Sequence, residues 1–311
     1  MPIRWFLVLL AVALPIPSLA QTTEMPAWQK AAGSKMEFDV ASIRLDTGDF
    51  KPPSTALSND DGMPPQDGLF HSDFPVYADI EFAYKISLTP EQERAMLAPL
   101  PKWVKTDRYN IQARSPDKPT KDQARLMMRS LLEERFGLKV HFETQTVPTW
   151  AMTLIKPGKL GPKLIPVPEG HGCMDSVPPG TPSPDAKPVS QLCGSYTLHR
   201  TADGATVFES HKTTMALLAS SLPTIDALGR PVVDQTGLTG DYDVSVEFSM
   251  EAARNALRAE AAPSSADAAS EPPPGITFMD AVREQLGLKL EPTRAPVQVL
   301  VIDHIERPSE N

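Results

Sequence analysis

Residues 123–156 read QARLMMRSLLEERFGLKVHFETQTVPTWAMTLIK, and residues 273–306 read PPGITFMDAVREQLGLKLEPTRAPVQVLVIDHIE. Gly137-Leu138-Lys139 of the first stretch lies on Gly287-Leu288-Lys289 of the second, and Pro148 then falls near Pro296. Upstream, Thr106-Asp107-Arg108-Tyr109-Asn110-Ile111 precedes the first stretch as Thr239-Gly240-Asp241-Tyr242-Asp243-Val244 precedes the second. Farther back, Phe70-His71-Ser72 opens an apolar helical pattern, as Phe208-Glu209-Ser210 does. Landmarks that recur in one order point to a duplicated unit.

Each copy has a readable local logic. Thr120, with Gln123 three residues on, is a capping-box start, and Ala124, Met127, Met128, Leu131 and Leu132 recur at helical spacing until Gly137 supplies a left-handed stop. In the second copy Thr277 is the N-cap, Phe278, Ala281, Val282 and Leu286 form the apolar stripe, and Gly287 closes it. A strand is expected before each helix, over 108–114 and 242–248. After each stop the pattern predicts a short strand, a turn and a second, apolar strand: 138–143 then 150–155, and 288–291 then 297–305. A further strand and helix lie upstream in each copy, over 69–71 and 74–86, and over 206–208 and 213–222. Residues 36–44 add an amino-terminal strand, and 196–199 pair with 206–208 as a hairpin across Asp203-Gly204. The fold class expected is α+β: two tandem β-α-β-β-α-β-β repeats with helices packed on one face of mixed sheets.

The domain boundaries follow. Residues 1–20 read as a signal peptide, with Arg4 as the positive end, an apolar run over 5–16 and Ser18-Leu19-Ala20 as a small-x-small cleavage site. The run is too short to span a bilayer, so no membrane insertion is expected after cleavage. The first α+β repeat covers 36–156, a Pro-rich linker 157–195, and the second repeat 196–311, with a flexible insert over 251–275. The first part of that insert is compatible with a turn or two of helix.

With 33 prolines in 311 residues the chain is interrupted too often for an all-helical bundle, while 41% apolar residues suffice for a core. A formal charge of −9 without a basic run disfavours nucleic acid and anionic lipid as partners. The 2 cysteines, Cys173 and Cys193, form an even pair in an exported chain, which points to a disulfide inside the linker; two free thiols, or a metal or redox site, are the alternatives weighed against it.

Three separated motifs carry a resemblance: FDVASIR (38–44), PVVDQTGLTGDYD (231–243), and VIDH (301–304) with the PSEN ending (308–311). Through them the chain resembles a soil-associated family abundant in acidobacteria, domain of unknown function 3738, over roughly residues 36–311. The resemblance implies export and a domain that elsewhere is joined to membrane sensor peptidases; it implies no catalytic residues. The repeat unit alone is similar to the amino-terminal periplasmic domains of secretins and TonB-dependent receptors, which dock to other proteins.

No nucleophile elbow, HExxH, Walker loop or SxxK is present. His71, His141, His171, His199, His211 and His304 are scattered and read as structural or surface residues. Asp303 and His304 are strand neighbours whose side chains face opposite ways. Asn59-Asp60-Asp61-Gly62 with Asp67 lacks calcium-loop spacing and reads as a solvated loop. The run 234–243 mixes glycine with carboxylates, but its turn-forming character outweighs an active-site reading, and Trp103 and Trp150 read as core. No catalytic residue, cofactor or metal site is therefore named. The function expected is an exported, non-enzymatic binding or docking module of the cell envelope with a protein or peptide partner. The alternative is a divergent secreted hydrolase or a peptidase-associated sensor domain.

Overall fold

The computed structural model describes residues 27–168, 193–261 and 275–308, apart from 34, 55, 63, 116, 226 and 227. The signal peptide, Cys173, His171 and most of the proline-rich insert lie outside the described residues. In chain order the elements are α1 Ala27–Ala32, β1 Val40–Asp46, β2 Leu69–Pro75, α2 Val76–Tyr84, α3 Pro90–Leu97, α4 Trp103–Thr106, β3 Arg108–Arg114, α5 Lys121–Phe136 and β4 Lys139–Leu154. They continue with β5 Leu164–Pro166, β6 Tyr196–Arg200, β7 Thr206–Thr213, α6 Met215–Ser221, β8 Val232–Asp234, β9 Tyr242–Phe248, α7 Met250–Ala261, α8 Phe278–Ala281 and β10 Leu288–His304.

The fold is α+β. The helix ends form as their capping residues dictate. Thr120 and Gln123 make the reciprocal capping box of α5, and Gly137 ends it at φ 58°. Thr277 caps α8, which runs on through a π-helical turn, Val282–Leu286, to Gly287 at φ 70°.

One three-stranded antiparallel sheet has the order β1-β3-β2; a second, four-stranded one has the order β5-β9-β7-β6. Both place an antiparallel strand on each side of the strand that leads into the Gly137 or Gly287 helix. Within the lobes the strand pairing is antiparallel; β8 pairs parallel with β4, and an isolated parallel bridge joins Cys193 to His211. The expected linker is not wholly irregular, because β5 lies inside it and pairs with β9. The start of the expected flexible insert is the helix α7.

The main departure lies after each glycine stop. No turn interrupts β4 or β10. Each runs straight on, and the two pair with one another from Leu288↔Leu154 to His304↔Lys139. Prolines suggested the turns, yet the ladder tolerates them. Trp150 donates its N–H to the oxygen of Pro231, just before β8, on the side away from β10. Residues of the same parity on β4, and the residues facing them, therefore need no N–H toward the partner strand. Pro148, Pro292 facing Trp150, and Pro296 facing Thr146 all occupy such positions.

This ribbon exchanges strands between two cores. Leu300, Ile302 and Ile305, from the end of β10 and just beyond it, pack with Ile43, Phe70, Ile80, Ile111 and Leu132 in the first lobe. Trp150 and Met152, from the end of β4, pack with Phe208, Leu218, Val246, Phe278 and Leu288 in the second lobe. Each lobe is completed by the other's strand, so the seam between them is fixed by sixteen residues of β4 rather than by a flexible tether.

Candidate functional site

The seam is lined on one side by residues 58–62 of the first lobe. That stretch was expected to be a solvated loop, and the structure corrects this: Asn59 and Asp60 are buried, and only Asp61 is half exposed. The cause is the first turn of α5. Arg125, wholly buried, donates through Nη1 to Asp61 at 3.1 Å and to Asp122, and through Nη2 to the backbone oxygens of Ser58 (3.0 Å) and Asp60. Lys121 Nζ donates to Asp60 at 3.1 Å and to Ser58 Oγ at 3.0 Å. Lys85, at the left-handed end of α2, reaches Asp61 at 2.6 Å and Asp122 at 3.1 Å. Three cations thus meet three carboxylates, which is what makes their burial tolerable. Burial pushes the Lys121 ammonium down to about 8 against the pull of Asp60. Burial works the other way on Asp61, but Lys85 and Arg125 outweigh it and hold the carboxyl below its usual range. The carboxylates that suggested calcium are occupied by lysine and arginine.

The loop also touches the second lobe. Asn59 Nδ2 donates to Ser220 Oγ at 3.1 Å, and a Cβ on Gly62 would stand 2.6 Å from the Ser195 Cβ. Opposite it, the pairing of β7 with β9 shifts register between Ser210 and Thr213, a bulge that carries Lys212 at φ 46°. Asp243 holds the bulge: its Oδ1 accepts from the Lys212 backbone N–H at 3.0 Å and lies 3.1 Å from His211 Nδ1. Between the two sides is a cleft of about 490 Å³. Asn59, Asp61 and Lys85 line it from the first lobe; Gly194, Lys212, Leu217, Ser220 and Asp241 line it from the second.

The remaining candidates are dispersed. His141 lies 2.9 Å from Asp303 through Nδ1 and 3.2 Å from Glu143 through Nε2, and hydrogen bonds to Asp303 first and Glu143 second raise its pKa. Both ring nitrogens are thus held by carboxylates. Asp303 turns to His141, while His304 lies 3.7 Å from Glu306. His71 is 3.3 Å from Pro52 O and 3.2 Å from Asn110 Nδ2, and His199 is exposed on β6. The run 234–243 is a turn: Asp234 Oδ1 accepts from Thr236 N and Oγ1, and Gly237 and Gly240 take φ 68° and 87°. Its far end nonetheless reaches the seam through Asp241 and Asp243. Trp150 is buried with its Nε1 on Leu228 O at 3.0 Å, and Trp103 packs against Tyr109 and Phe136.

Among the described residues, no three His, Cys, Asp or Glu side chains gather as a metal site would require, and no helix is long and apolar enough to cross a membrane. Cys193 lines the cleft, but its expected partner Cys173 lies outside the described residues. Sequence reasoning missed Lys85, Lys121, Arg125 and Lys212, since nothing local marks a lysine or arginine as buried or bulged. The family described as "Protein of unknown function (DUF3738)" matches over residues 78–305. No curated protein and no solved structure matches the chain.

Proposed function

The chain belongs to the DUF3738 family of proteins of unknown function, and on that premise we propose that it is an exported, non-enzymatic binding module of the cell envelope. It is built from two copies of one unit and holds a protein or peptide partner at the seam between them. The observation that carries this reading is the cleft of about 490 Å³, whose walls come from both lobes and whose volume suits a peptide segment or small ligand. The side-chain chemistry supports binding over turnover. Lys121 and Arg125 are committed to ion pairs, and His141 has carboxylates on both nitrogens. Exposed apolar side chains on the outer strands, Val40 and Leu45 on β1, Ile165 on β5 and Leu198 on β6, offer further contact area at sheet edges. The leader-like residues 1–20 support export, and Cys173 with Cys193 supports a disulfide beside the cleft.

The test is comparative capture from envelope extract. Ala216 is exposed at the mouth of the cleft, so Ala216→Arg fills the opening without disturbing a core. The wild-type chain retains a partner that Ala216→Arg does not. Equal retention by both, or substrate turnover abolished by a single substitution, overturns the proposal.

A further inference from the structure

Two charged side chains at the cleft have no counterpart among the described residues. Lys85 and Asp61 satisfy each other, but Lys212 and Asp241, both half-buried there, make no side-chain hydrogen bond or ion pair among the described residues. Such groups are ordinarily either solvated at the surface or paired. Lys212 is also held where a lysine is strained. It is one of only three non-glycine residues at positive φ among those described, and its conformation is fixed by the Asp243 carboxylate on its backbone N–H. The strain has a geometric result, because the bulge turns the Lys212 side chain to the cleft instead of along the β7 face. The wall between the lobes adds a buried polar group: Asn59 is 5% exposed, gives Nδ2 to Ser220, and leaves Oδ1 without a partner. Ala216 and Leu217 supply a small apolar patch beside them.

We propose that the cleft is a subsite for a zwitterionic, peptide-like ligand, with Lys212 receiving its carboxylate and Asp241 its ammonium. One ligand bearing both charges neutralises both orphaned groups and leaves the charge balance of the cleft at zero, whereas a simple anion or cation would satisfy one and leave the other. The assignment rests on the seam cleft being the binding site, and it specifies what that site reads.

Isothermal titration of the full chain tests it with three probes: alanyl-alanine, its N-acetyl derivative and its C-terminal amide. The free dipeptide is expected to bind at least tenfold more tightly than either blocked form. Lys212→Gln is expected to abolish the preference over the amide while keeping the preference over the N-acetyl form. Asp241→Asn is expected to do the reverse. Since neither side chain has a partner among the described residues, both variants should melt within a degree or two of wild type, so a loss is not one of folding. Failure of the wild-type chain to bind any probe, or unchanged preferences in both variants, overturns the assignment. Retention of the captured partner by these variants, alongside its loss in Ala216→Arg, would show that only the zwitterion assignment had failed.

Discussion

The Arg125 guanidinium is wholly buried and shared between two carboxylates and two backbone oxygens. Arg125→Met leaves Asp61 and Asp122 short of a counter-charge, and the expected cost is about 3–5 kcal/mol, read as a lowered urea midpoint at unchanged m-value. Asp79 makes the opposite case. It is fully buried on α2, and burial pushes its pKa up to about 7 against the weaker pull of the Ser72 hydroxyl. The folded state therefore holds this proton more tightly than the unfolded chain, so stability is highest below the ordinary carboxylate range and is lost as pH rises toward 7. The loss assignable to Asp79 is about 4 kcal/mol at most. Asp79→Asn should remove that part of the slope in urea titrations between pH 4 and 8, leaving the part due to Glu81, which burial also raises to about 7. A wild-type slope that survives Asp79→Asn undiminished would contradict the assignment. None of this burial is visible in the sequence: Lys121, Asp122 and Arg125 read as the polar face of an amphipathic helix, and their partners stand some sixty positions away.

At the scale of elements, what was legible was what is local. The Thr120–Gln123 box, the Gly137 and Gly287 stops, the apolar stripe of α5 and the β6–β7 hairpin all form from neighbours in sequence. The pairing of β4 with β10 does not, because Pro148 and Pro296 have the same composition signal in a turn as at an edge-facing ladder position. Residues 157–166 were misjudged for a related reason. Their prolines and glycines read as linker, yet the segment docks on the end of the last helix. Gly161 N–H donates to Leu286 O at 2.8 Å, and a Cβ at Gly161 would lie 2.4 Å from Gln285 O. Gly161→Ala must push backbone apart on both sides, and the expected cost is about 1–3 kcal/mol, seen as faster amide exchange in β5 and the Val282–Leu286 turn. Unchanged exchange there would mean that the connector is not seated as described.

The whole molecule is organised by exchange. Each lobe is completed by the end of a strand that leads out of the other, β4 or β10, and the seam that results holds the cleft. The α+β class was legible, but the pairing of β4 with β10 was not, since register over sixteen residues is a tertiary choice. The proposed Cys173–Cys193 bond belongs to this scale too, because it would tie position 173 to the cleft-lining Cys193. Non-reducing peptide mapping should recover one linked pair, and a quantitative yield of two free thiols would contradict it.

The exchanged ribbon itself is tested most directly by a cross-link at its centre. Thr144 and Gln298 face each other there, exposed, with Gln298 Nε2 donating to Thr144 Oγ1 at 2.9 Å. The double substitution Thr144→Cys, Gln298→Cys should oxidise to an intrachain bond, found as a 144–298 linked peptide in the monomer. If each repeat instead folds its own hairpin, position 144 does not meet position 298, and the monomer would yield both new thiols unlinked.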